Sequence, residues 1–158
     1  MMTSLHTQRG STLLEVLVVA SILASIALGV FGSLSLLSRF HQKNMFAIKG
    51  QLLAEEGVEA VRFLKSSGWS TLTAFPRNTP RYLALATSTW SATTTPEIVD
   101  GIFFRQFIIR DVARDANGDI VSSGGTIDPG VLRIESSVSW WWRGATSSAS
   151  YQSYITNL

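Results

Sequence analysis

With 158 residues, 46% of them hydrophobic and only 15% charged, the chain has room for one small domain beside a strongly apolar segment. Its 13 Lys and Arg against 11 acids leave a formal net charge of +2, too balanced to serve as a nucleic-acid signature. The absence of cysteine excludes disulfides, thiolate metal sites and a lipidated N-terminal cysteine, so any folded part is held by packing alone.

The chain opens with a polar leader, residues 1–10, ending Gln8-Arg9-Gly10. Its histidine, His6, is read as a solvated side chain without a role. From Gly10 to Ser38 the only charged side chain is Glu15, and the run exceeds the ~20 helical residues needed to cross a bilayer. A carboxylate left unpaired at bilayer depth costs roughly 2.5–3.5 kcal/mol on insertion scales, so Glu15 calls for a cationic partner. A secretory signal peptide fits poorly, because the apolar run is too long and ends without a small-residue cleavage site; the segment is read as retained. Arg9 places the leader in the cytoplasm, a bias weakened by Arg39 and Lys43 beyond the helix.

These residues carry a resemblance. A polar leader ending in Gly10, an apolar helix following at once and Glu15 five residues on resemble the signal of type IV prepilins and type II secretion pseudopilins. The resemblance implies cleavage by a membrane prepilin peptidase between Gly10 and Ser11, N-methylation of Ser11, and a part for Glu15 in filament assembly. Most family members have Phe where Ser11 stands. Cleavage would create a cationic amine at Ser11 that stays charged after methylation, and Glu15 of one subunit would neutralise the amine of its neighbour. Losing Arg9 with the leader lowers the net charge from +2 to +1. The competing reading is an ordinary signal anchor with a chance glutamate.

Residues 11–37 form the membrane, or filament-core, half of the helix. Ser21, Ala24, Ser25, Ala27, Gly29, Gly32 and Ser33 are small enough for close approach of like helices. With no proline before Pro76, Gly29 and Gly32 are the only weak points, open either to local melting or to packing. Residues 38–67 continue as an amphipathic helix, with Met45, Ile48, Leu52, Val58, Val61 and Leu64 as one apolar stripe against a sheet. Gly50 and Gly57 read as soft spots. Leu53-Ala54-Glu55-Glu56-Gly57-Val58-Glu59-Ala60-Val61-Arg62 is similar to the helix of minor pilins known as type IV pilus modification proteins.

From 68 to 158 the texture is a C-terminal antiparallel β head. Arg81–Leu85 reads as a strand, 87–96 as a Ser/Thr-rich surface connection anchored by Trp90, and Ile98–Val112 as one buried strand. Asn117-Gly118 is a hairpin signal and Ile120-Val121 a returning strand. After the turn-rich 123–130, Val131–Arg143 alternates. Leu132, Ile134, Val138, Trp140 and Trp142 share one face, and Arg133, Glu135, Ser137, Ser139 and Trp141 the other. A C-terminal strand follows through Tyr151, Ser153 and Ile155. The expected fold class is α+β, pilin-like: a long N-terminal helix packed through its amphipathic half on a small antiparallel sheet.

Little else carries chemistry. The Asp115–Asp119 turn, with Asp111 and Asp128, has oxygen ligands for calcium but lacks the EF-hand spacing, and a plain hairpin is the simpler reading. Trp140-Trp141-Trp142 offers a binding platform or core packing, and alternation leaves Trp141 alone on the outer face. His6 and His41 stand far from any nucleophile arrangement, so the chain reads as no enzyme, with no cofactor and no metal. The expectation is a structural subunit of a type IV pilus-like filament, more a minor than a major pilin. Its expected partners are prepilin peptidase, other pilin subunits, an inner-membrane assembly platform and, before assembly, membrane lipid. A secretion pseudopilin and a non-polymerising anchored binding module remain alternatives.

Overall fold

The structure is a computed structural model that describes residues 8–157; the leader residues 1–7 lie outside them. The described residues fall into two compact units divided after Asn44. The helix α1 (Gln8–Ser66) supplies the whole of the first unit's described part and the opening of the second. It stops where the sequence runs out of helix formers: Gly68 takes φ 124°, and the Ser67 and Gly68 amides donate to the carbonyls of Leu64 and Lys65. A single turn, α2 (Trp69–Thr73), follows.

Among the described residues the second unit holds seven strands: β1 (Tyr82–Ala86), β2 (Thr89–Thr93), β3 (Ile98–Val99), β4 (Phe103–Arg114), β5 (Ile120–Val121), β6 (Thr126–Trp142) and β7 (Ala145–Thr156). All pairings are antiparallel. β1 and β2 form a hairpin, while the larger sheet runs β3-β4-β6-β7, with β5 also on β4. The fold is α+β and pilin-like, a long apolar N-terminal helix with antiparallel sheets. The side chains alternate as the pleat requires: Leu132, Ile134, Ser136, Val138 and Trp140 are buried beneath the helix, while Trp141 is 65% exposed.

Helix and sheet meet through two apolar clusters. One gathers Val58, Val61, Leu64, Leu72, Leu83, Phe107, Ile109, Ile134 and Ile155. The other gathers Leu53, Ala54, Phe103, Val138 and Trp140, with Phe46 edge-on to Trp142 at 4.8 Å between ring centroids. Small residues set the closeness of approach. A Cβ at Gly50 would collide with the Trp140 ring, and one at Gly57 with the Ser136 hydroxyl. These glycines are contact points rather than soft spots, because only a bare Cα lets the backbone lie on the sheet.

The structure corrects four further readings of the sequence. Val58, Val61 and Leu64 do face the sheet, but Met45, Ile48 and Leu52 are 58%, 61% and 59% exposed and belong to the opposite face. The stretch 87–96 is not a connection, since Thr89–Thr93 is a strand paired with β1 across a two-residue turn. Thr87 and Ser88 both adopt positive φ there, the geometry of a primed hairpin turn without the Asn-Gly that usually announces one. Ile98–Val112 is two strands, broken at Asp100-Gly101, where φ is again positive. Finally, β6 begins at Thr126 rather than Val131: its first residues pair with β4 beyond a register shift at Asp111/Val112, and Pro129, which has no N–H to give, falls in the unpaired stretch.

Candidate functional site

Gly10 and Ser11 lie within α1, and nothing further is described of their side chains. Glu15 stands one turn beyond and is exposed. Its face of the helix carries Thr12, Val16, Val19, Ala20 and Leu23, an apolar surface with one carboxylate at its edge. Among the described residues Glu15 has no ion-pair partner. The charge that the sequence marks as needing a cation is therefore left unanswered by the chain's own described residues.

From Leu13 to Leu37 the helix presents an exposed apolar surface. Its large side chains from Leu13 to Leu37 are 45–74% exposed, and the segment is long and apolar enough to cross a membrane. Three of the hydroxyls among them are satisfied internally. Ser21 Oγ donates to the Val18 carbonyl at 2.8 Å, Ser25 Oγ to that of Ser21 at 2.8 Å, and Ser33 Oγ to that of Gly29 at 2.9 Å. The helix stays regular through Gly29 and Gly32, and no atom lies within 4 Å of a Cβ placed at either. Both are flat spots open to another helix.

Comparison with known families bears on this same segment. The family model for the prokaryotic N-terminal methylation motif matches residues 5–31. The chain carries a type IV pilin-type prepilin signal. That signal supports a type IV pilin- or pseudopilin-like subunit and points to a structural role rather than an enzymatic one. It implies processing by prepilin peptidase, assembly with other pilins and a membrane-anchored precursor. No curated protein and no solved structure matches the chain.

The other candidates from the sequence resolve differently. In the second unit, Asp115 Oδ1 accepts from the amides of Asn117 and Asp119, both at 2.9 Å, folding the carboxylate back on its own turn. Asp111 receives Arg77 Nε at 2.6 Å, and Asp128 receives Arg114 Nε at 2.7 Å and the Gly130 amide at 2.9 Å. Those two hydrogen bonds hold the Asp128 carboxyl below the usual carboxylate range, Arg114 contributing most. The three carboxylates thus serve the hairpin and its neighbours. Among the described residues no group of three His, Asp or Glu is placed to hold a metal ion.

One arrangement has no precursor in the sequence reading. Arg105 points into the helix–sheet layer, 5% exposed, with Nη1 3.3 Å from a Glu56 carboxylate oxygen and its guanidinium 4.9 Å from the Trp90 ring. An Arg in an alternating apolar strand gives no sign by itself of whether it faces in or out. The clue lay in position: Arg105 shares its side of β4 with Phe103 and Phe107.

Proposed function

We propose that this protein is a minor pilin, cleaved between Gly10 and Ser11, methylated on Ser11 and assembled into a type IV pilus-like filament through α1. The observation that supports it is Glu15, a lone carboxylate on an exposed apolar helix surface, without a partner among the described residues of its own chain. In a filament the new ammonium of a neighbouring subunit answers it. Such a buried pair adds little net stability but fixes register, because either charge alone in an apolar medium is costly.

On this reading the leader faces the cytoplasm, and an inner-membrane platform draws the mature subunit out of the lipid. The head then stands outside, in an extracellular or periplasmic filament. The resemblance of Leu53–Arg62 to pilus modification proteins favours a minor pilin over a secretion pseudopilin.

Mass spectrometry of the protein from its native membrane tests processing. The expected mature chain begins at methylated Ser11; a chain that retains Met1 or Met2 overturns the assignment. Gly10→Val is expected to leave the precursor uncut. Glu15→Ala is expected to be cut normally yet to enter sheared filaments poorly, and wild-type incorporation would remove the role given to Glu15.

A further inference from the structure

On the outer face of the larger sheet, Arg110, Arg133 and Tyr154 stand abreast on β4, β6 and β7, paired in register across the three strands. Two arginines directly opposite one another on one face repel, and the pair costs stability unless each charge is answered. Arg110 is answered: its Nε lies 3.3 Å from a Glu135 carboxylate oxygen, and its Nη1 donates to Asn78 Oδ1 at 2.9 Å. Arg133 is not. It enters no ion pair and no hydrogen bond among the described residues, and its half-buried side chain holds Nε out of reach of solvent. That nitrogen has lost its water without gaining an acceptor, which leaves the two Nη groups to bind whatever comes to the guanidinium. Arg133 lines a cleft that opens where β4 shifts register after Asp111 and β5 returns alongside it.

We propose that this cleft binds one free tetrahedral oxyanion of the phosphate class, held on the Arg133 guanidinium. Its volume of about 100 Å³ matches a few waters or one small anion. The walls come from three strands: Ser122 just past β5, Arg133 on β6 and Tyr154 on β7 supply a hydroxyl, a guanidinium and a phenol. Donors on several sides suit a tetrahedral anion, whose oxygens accept in every direction, better than a planar carboxylate. Asp111 also belongs to the lining and would repel an anion, but its Oδ1 already accepts Arg77 Nε at 2.6 Å. The acids nearby are engaged in the same way, Glu135 by Arg110 and Asp128 by Arg114 Nε at 2.7 Å. Each of those arginines has its own carboxylate, and Arg133 carries the charge left over. The site lies within the second unit and does not depend on cleavage after Gly10.

The probe is inorganic phosphate, added near neutral pH to the full-length chain in nonionic detergent and compared with chloride at equal ionic strength. The expected result is a saturable shift of the Arg133 Nε–H resonance, half-complete at about 1–10 mM phosphate. The melting temperature should rise with phosphate in wild type and not in Arg133→Gln, a comparison that removes the general salting effect of the anion. Arg133→Lys keeps the charge but loses the planar fork, and should weaken binding about tenfold or more. Arg133→Gln relieves the repulsion with Arg110 and should melt in chloride no lower than wild type. Arg143→Gln, in the turn between β6 and β7, makes the same change of net charge and should keep the full response. A shift that never saturates, an undiminished response in Arg133→Lys or Arg133→Gln, or a lost response in Arg143→Gln would each overturn the site. So would an Arg133→Gln chain that melts well below wild type in chloride, because Arg133 would then be answered within its own chain.

Discussion

A hydrogen atom in place of a methyl group at residue 57 decides how closely helix and sheet can lie. Alanine there would gain about 1 kcal/mol in helix propensity but lose roughly 1–3 kcal/mol to overpacking against Ser136. Gly57→Ala is therefore expected to lower the urea midpoint. Ser136 Oγ is buried without a hydrogen-bond partner, so Ser136→Ala should be neutral or stabilising by about 1 kcal/mol. In that background Gly57→Ala should cost less, a coupling that a double-mutant cycle measures directly; additivity would show that the two do not touch. Asp128 acts through charge instead. Its folded pKa is depressed, so its contribution is present at neutral pH and is lost as pH falls through the depressed value, below the ordinary carboxylate range. The gap in stability between wild type and Asp128→Asn should be constant near neutrality and shrink in acid. A gap that widened in acid would contradict the pairing with Arg114.

Among elements, the β1–β2 hairpin is fastened to the sheet where Trp90 covers Arg105 and Glu56 meets its guanidinium from the helix. Arg105 Nε and Nη1 make no hydrogen bond, and Glu56 is 46% exposed, so the ion pair is a modest tie and the arginine stem does much of the packing. Arg105→Met is accordingly expected to keep more stability than Arg105→Ala, by about 1–2 kcal/mol in chemical denaturation. The sequence disclosed elements wherever one local signal sufficed: the unbroken apolar run after Gly10, the alternation from Val131 to Trp142, the Asn117-Gly118 turn. It hid those that depend on a distant neighbour. Thr89–Thr93 looks like a polar connection because Ser and Thr serve loops and strands alike, and only pairing with Tyr82–Ala86 separates the two. Met45, Ile48 and Leu52 share the helical period of the core residues, and periodicity reports an apolar face without saying which apolar surroundings it meets. The prepilin signal was legible because it is a contiguous linear pattern. The Arg105 cluster was not, because helix, sheet and hairpin each supply one side chain.

For the molecule as a whole, both apolar clusters lie between Phe46 and Ile155, inside the second unit. A fragment from Met45 to Leu158 should therefore melt cooperatively by itself, and Ile48→Ser with Leu52→Ser should raise its solubility while changing stability by no more than about 0.5 kcal/mol per site. A broad, non-cooperative melt would mean that the core needs residues before Met45. The serines of the first unit carry a different consequence. Because Ser21, Ser25 and Ser33 spend their hydroxyls on the helix's own carbonyls, moving this segment from lipid into a bundle of its own kind trades one oil for another without breaking a polar bond. Such a transfer can run in either direction at little enthalpic cost. For the filament proposed above, the bilayer would then act as a reservoir from which subunits are withdrawn and to which they return undamaged.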